Sequence, residues 1–330
     1  MRLGLIGLGR IGAFHAETLT ALGVDLVVHD PMPGLAASFA DARDSAGEVL
    51  AAGIDGLVIA AATDAHPQLI LAGVEAGLPV FCEKPVARGA AEAAEVLRRC
   101  TDAGAQVRVQ IGYNRRFDAG IVRARAAVQS GELGRLHTVR STTMDPAPPP
   151  DTYLAGSGGI FRDCSVHDFD TIRFVTGREV VEVYATGHAE GFFAEIGDAS
   201  TTAAVLTLDD GTLAVVSNTR YNGRGYDVRL ELHGSADSIA AGLDGRLPMR
   251  SAEPGVTFPD QAPHHFFMDR FIDAYRAELS AFIDLVAGRI ESPCTVADAV
   301  EAGWIAEACT LSLHEHRPVK LSEAGLKVEP

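Results

Sequence analysis

The run Gly7-Leu8-Gly9-Arg10-Ile11-Gly12 constrains this chain more than any other stretch. It stands between a short apolar run, "RLGLI", and a pattern that reads as helix from Arg10 until Gly23. Strand, glycine turn and helix in that order make one corner of a βαβ unit. The first glycine permits the tight turn. The second lets another group approach the backbone, and the third lets helix pack on strand. The helix start then presents free N–H groups, which suit a phosphate. The next strand, "VDLVVHD", ends at Asp30, twenty-one residues past Gly9. A carboxylate at that point accepts hydrogen bonds from adenosine ribose hydroxyls. It would repel a 2′-phosphate, and "DPMPG" brings no arginine straight after it, so NAD is expected rather than NADP. Gly7, Gly9, Arg10, Ile11, Gly12 and Asp30 are the expected cofactor residues.

The same alternation continues through "DGLVIAAAT", "HPQLILAGVEAG", "LPVFCEKP", "AAEAAEVLRRCTDAG" and "AQVRVQIGY". Strands and helices taking turns imply a doubly wound parallel sheet. After about Phe117 the pattern changes. One more helix, "AGIVRARAAVQSGELG", and a strand, "RLHTVRSTTM", lead into a Pro/Gly-rich loop, "DPAPPPDTYLAGSGG". Then come β-like runs, among them "TTAAVLTLDDGTLAVVSNTR" with a hairpin signal at D-D-G, and helices return from about Asp269. The expected fold is α/β: residues 1–119 a dinucleotide-binding parallel-sheet domain, and residues 120–330 an α+β domain with a largely antiparallel sheet. A length of 330 residues suits two domains.

Charge and cysteine usage exclude other classes. The formal charge is −16 with no Lys/Arg-rich run, so a nucleic-acid partner is not expected. Cys82, Cys100, Cys164, Cys294 and Cys309 are odd in number and scattered, without C-x-x-C spacing. That is a reduced, cytoplasmic pattern with neither disulfide framework nor structural zinc. The start "MRLGLIGLGR" is too short and glycine-rich for a signal peptide, and no run reaches the ~20 apolar residues of a membrane span.

"FCEKPVA" sets Glu83, Lys84 and Pro85 at the C-terminal end of a strand, the edge where open α/β sheets bind ligands. A lysine there can steady charge developing on a substrate oxygen. The alternative is a lysine pointing to water. Farther on, "FRDCSVHDFD" carries Asp163, His167, Asp168 and Asp170. Read as one helix, it puts Asp163 and His167 on one face with Asp170 near it, Asp168 elsewhere, and Gly177 as the stop. A carboxylate beside an imidazole holds its tautomer and raises its basicity. The competing reading is acids at a helix start, where the dipole favours them.

The three stretches together, "GLGRIG" followed by "HA", then "EKP", then Gly158-Gly159 with Asp163, His167-Asp168 and Asp170, resemble the Gfo/Idh/MocA oxidoreductases. "GRIG", "GYNRRFD" and "FIDAY" are most similar to the inositol 2-dehydrogenases of that family. The resemblance implies a Rossmann domain, NAD as cofactor, and a C-terminal domain whose open sheet builds homo-oligomers, dimers or tetramers. It implies Lys84, Asp163 and His167 as the catalytic group oxidising a ring hydroxyl of a cyclitol. In that role His167 takes the hydroxyl proton, Asp163 orients it, and Lys84 holds the oxygen. Thr63, His66 and Glu83 join the cofactor set, although capping by Thr63 or Asp64 explains the His66 loop equally well.

On the substrate side the resemblance implies Asn114, Arg115, Thr143, Asp145, Tyr226 and Tyr275, with Tyr153 in the proline loop a looser candidate. Asn114 stands where inositol dehydrogenases tend to carry Met, and Thr143 where they carry His. These polar groups suit hydroxyl-rich ligands, cyclitols and pyranose sugars alike. A sugar or aminocyclitol dehydrogenase is thus an alternative, and a non-catalytic NAD-binding regulator is an alternative of another class. Tyr275 reads equally well as a core aromatic. His264-His265, His314 and His316 read as solvated, so no metal is expected. Cys82 and Cys164 read as buried fillers.

Overall fold

A computed structural model describes residues 1–103 and 108–324. In chain order the first elements are β1 (Arg2–Ile6), α1 (Arg10–Ala21), β2 (Asp25–His29), α2 (Ala46–Leu50), β3 (Gly56–Ile59), α3 (His66–Glu75), β4 (Val80–Glu83), α4 (Ala90–Asp102) and β5 (Val109–Gly112). Then follow α5 (Ala119–Gln129), β6 (Leu136–Met144), α6 (Asp151–Leu154), α7 (Val166–Thr176), β7 (Val180–His188), α8 (Phe192–Glu195), β8 (Thr201–Leu208) and β9 (Leu213–Thr219). The last are β10 (Asp227–Gly234), β11 (Ser238–Ala241), α9 (Phe267–Arg270), α10 (Ile272–Val286), α11 (Val296–Glu315) and β12 (Val319–Lys320). The strand read from "AQVRVQIGY" begins at Val109; residues 104–107 lie outside the described ones.

The chain divides into two compact units. The first comprises Met1–Asn114 and Tyr275–Glu301. Its sheet is parallel throughout, in the order β2-β1-β3-β4-β5. Every residue of β3, β4 and β5 is buried, because helices cover both faces of such a sheet. That is why these strands read as unbroken apolar runs. Helix α4 turns Ala90, Ala93, Val96 and Cys100 inward at helical spacing and leaves its arginines outside.

A single cut between residues 119 and 120 misplaces one segment. Leu279, Phe282 and Leu285 of α10 are fully buried in one cluster with Leu3, Leu5, Val28, Val58 and Phe81 of the parallel sheet. Burying each such side chain contributes about 1.5–3 kcal/mol. Beyond α10 the backbone N–H of Ile111 donates to Cys294 O at 2.9 Å, which covers the edge of β5. The returning chain thus completes the first unit's core, and the first stretch of that unit ends at Asn114.

The second unit comprises Arg115–Ala274 and Ala302–Pro330. Its seven-stranded sheet runs β11-β10-β6-β9-β8-β7-β12. Neighbours are antiparallel except β6 and β9, which are parallel. The D-D-G turn joins β8 to β9, with Gly211 at φ +84°. Strand β8 alternates exposed Thr201, Ala203 and Val205 with buried Thr202, Ala204 and Leu206. The Pro/Gly-rich stretch is not all loop, since Pro150 opens the single turn α6. Among the described residues no helix is long and apolar enough to cross a membrane.

Candidate active site

In the first unit the glycines divide their work by position. Gly7 has φ +95°, and a Cβ there would lie 2.5 Å from the Ala60 backbone. A Cβ on Gly12 would lie 2.0 Å from Gly7 O, so only glycine lets α1 sit this close to β1. A Cβ on Gly9 would meet nothing within 4 Å. Gly9 therefore faces open space at the helix N-terminus, where α1 has no side-chain cap to occupy its N–H groups. The Asp30 carboxylate is held beside this turn: Leu8 N–H donates to Oδ2 at 2.6 Å and Met32 N–H to Oδ1 at 2.8 Å. A pyrophosphate at Gly9 and a ribose at Asp30 fit this cradle.

The end of β4 is braced from below. His15 Nε2 donates to Glu83 Oε1 at 2.6 Å, with both residues buried. Lys84 follows, half-buried, and its bond to Pro85 is cis. His66 Nδ1 lies 2.7 Å from Pro85 O and Nε2 3.0 Å from Ala61 O, so this ring ties the turn after β4 to the turn after β3. Neither Thr63 nor Asp64 caps α3, whose first turn has no side-chain cap bond. Asp64 pairs with Arg88 instead. Tyr275 packs edge-on against Phe14 and His15 at ring-centroid separations of 5.3 and 5.8 Å. Asn114 is buried at the end of this unit's first stretch.

In the second unit "FRDCSVHDFD" is not one α-helix. Phe161–Ser165 form a π-helical turn and α7 begins at Val166. Such turns are frequent at functional sites. Gly177 ends α7 in the left-handed conformation at φ +64°, as its sequence position implies. The helix lies on a polar ladder built by the parallel pair. Register sets Ser141 beside Val216 and Thr143 beside Asn218. Asp145 and Arg220 follow one residue past the last pair, Met144 and Thr219. Inward positions recur every second residue, so Ser141, Thr143 and Asp145 share a face with Asn218 and Arg220.

Asp163 meets the end of that ladder. Its Oδ2 accepts from Arg220 Nη2 at 2.5 Å, and its Oδ1 accepts from the Tyr153 hydroxyl at 2.8 Å. Arg220 Nη1 donates to Asp145 Oδ2 at 2.7 Å. Burial pushes the Asp145 carboxyl above its ordinary value in spite of Arg220. One turn on, Asp168 is fully buried and accepts from Arg115 at 3.0 Å, Ser141 at 2.6 Å, Thr143 at 2.9 Å and Asn218 at 2.8 Å. Asp170, expected near the acid–imidazole face, instead receives Arg116 at 2.9 and 2.6 Å inside the protein. His167 is half-buried. Burial raises the Tyr226 phenol and the Cys164 thiol, so both stay neutral.

The sequence pattern assigns Asp168, Arg220 and His15 no role. Asn218 and Arg220 do leave a signal: in "LAVVSNTR" they stand at the inward positions that Ala214 and Val216 fill with apolar groups.

Residues 1–111 match an oxidoreductase family with an NAD-binding Rossmann fold, and residues 121–240 match the GFO/IDH/MocA C-terminal domain. The chain is 39% identical over 303 residues to the myo-inositol dehydrogenase Hyg17 of Streptomyces leeuwenhoekii, covering 89% of this chain and 90% of the relative. It is 34% identical to an inositol 2-dehydrogenase of Rhizobium meliloti, covering 98% and 99%. The crystal structure of a myo-inositol dehydrogenase from Corynebacterium glutamicum superposes with a TM-score of 0.87 at 35% identity, covering 100% of this chain and 99% of that one.

Proposed function

Because the chain belongs to the GFO/IDH/MocA oxidoreductase family, we propose that it oxidises one ring hydroxyl of a cyclitol with NAD, as an inositol 2-dehydrogenase does. One observation carries the cofactor half of this reading: Asp30 is tethered beside an open Gly9 at the switch point of a parallel sheet. The cyclitol half is supported by two relatives named for inositol at 39% and 34% identity.

NAD, when bound, supplies the acceptor for the hydride that leaves the ring carbon. The chain's own residues handle the proton and the charge. His167 takes the hydroxyl proton, a task suited to a group whose ordinary pKa is about 6.5. Asp163 presents a carboxylate fixed by Arg220, which limits where a substrate hydroxyl can hydrogen-bond. Lys84 gives an ammonium to the same oxygen as negative charge develops. Asn114, Arg115, Thr143, Asp145, Tyr226 and Tyr275 complete the substrate side of this reading. Of these, the Thr143 hydroxyl already donates to Asp168 and Asp145 already receives Arg220. Gly7, Arg10, Ile11, Gly12, Thr63, His66 and Glu83 complete the cofactor side.

The proposal extends to a cytoplasmic homotetramer. All five cysteines are free, which suits a reducing compartment. Tyr184, Val205 and Leu213 stand 42–46% exposed on the open face of the second sheet, a surface suited to self-association. The test is NADH formation by purified protein with NAD or NADP against myo-, scyllo- and D-chiro-inositol, glucose and xylose. Turnover of an inositol with NAD is expected. Activity on sugars alone would move the substrate class, and silence with NAD still bound would favour a non-catalytic role.

A further inference from the structure

Arg220 is 3% exposed and shares one guanidinium between two carboxylates. The backbone imposes the sharing. Strands β6 and β9 run parallel, and Asp145 N–H donates to Thr219 O at 2.9 Å, which keeps Asp145 and Arg220 side by side past the last pair. The π turn then delivers Asp163 to the same cation. Two carboxylates against one guanidinium leave a net negative cluster with little water to screen it.

The groups facing Asp163 come from several elements. Tyr153 arrives from α6, Asp145 from the end of β6 and Arg220 from the end of β9. Cys164 is its neighbour in the π turn, while His167 and Asp168 follow on α7. Arg115 and Tyr226 are close enough to act electrostatically with Asp145. Burial keeps Cys164 and Tyr226 neutral, and Arg115 is bonded to Asp168. Arg220 and Asp145 are the charged pair bonded in series against Asp163.

We propose that Arg220 is a positioning residue that fixes and charges Asp163, and that Asp145 tunes it by competing for the same guanidinium. This rests on the reading of Asp163 as part of the catalytic group. The two partners then act with opposite sign. Arg220→Gln leaves two carboxylates without their cation, so Asp163 holds its proton to higher pH. Asp145→Asn removes the competitor, so Asp163 loses its proton at lower pH.

The experiment is a carbon-13 NMR titration of the Asp163 carboxyl in the full chain, assigned by its loss in Asp163→Asn. The midpoint is expected to rise by about one pH unit or more in Arg220→Gln and to fall in Asp145→Asn. Arg220→Lys should return part of the way to wild type. Should Arg220→Gln fail to fold, Asp145→Asn and Arg220→Lys carry the test. Unchanged midpoints, or shifts of the same sign in both partners, overturn the proposal. The pH profile of kcat/KM is read in parallel, with its acid limb expected to move in the same two directions. A titration with these signs in a protein that turns over no cyclitol or sugar would sustain the tuning and sink the dehydrogenase reading instead.

Discussion

Replacing Asp168 by Asn changes one atom and disrupts the second unit at a fully buried charge. Arg115, Ser141, Thr143 and Asn218 all donate to this carboxylate, which is 0% exposed. An asparagine amide offers one acceptor oxygen and turns an NH2 toward donors. Arg115, itself 2% exposed, loses its counter-charge. Removing one member of a buried pair costs about 3–5 kcal/mol. For a unit of this size that is a fall in Tm on the order of 10 °C. Thermal unfolding by circular dichroism reads it. Adding Arg115→Met should recover at least about 1 kcal/mol, because the stranded cation is gone. A melting point for Asp168→Asn within about 2–4 °C of wild type would refute the argument that this carboxylate holds α7 on the ladder.

Asp30→Ala should weaken NAD by roughly 10–100-fold, measured by calorimetry, as hydrogen bonds to a charged acceptor are worth about 1.5–3 kcal/mol; unchanged affinity would show the ribose is held elsewhere. Gly9→Ala should melt within about 2 °C of wild type yet bind NAD more weakly, since its Cβ meets only open space, whereas Gly12→Ala should fall in stability because its Cβ meets Gly7 O. Equal melting points for the two would contradict this division. Lys84→Ala and His167→Ala should each lower kcat by roughly 100-fold or more while NAD binding survives, and wild-type rates in both would remove them from the catalytic group.

What was legible in the sequence was local. The glycine spacing, the strand ending at Asp30 and the left-handed Gly177 each follow from a few adjacent residues. What was not legible depends on residues brought together from afar. Asp168 gathers donors from 25 to 53 positions away, and α7 alone gives no hint that its first acid becomes a hub. The π turn shifts the geometry on which the Asp163–His167 spacing argument stood, and nothing in "FRDCS" marks it. The return of α10 to the first unit shows in its apolar face but not in its address. Arg220 is foretold only by alternation: a charged residue on the inward face of a strand calls for carboxylates, and register supplies Asp145.

In an inositol dehydrogenase reaction, hydrogen leaves a cyclitol ring carbon for the nicotinamide. The most direct measurement is mass spectrometry of NADH formed from NAD and myo-inositol deuterated on its ring carbons. One deuterium is expected in each NADH made by the wild type, with NADH formation suppressed in His167→Ala. NADH free of deuterium, or none formed from any inositol while NAD binds normally, would contradict it.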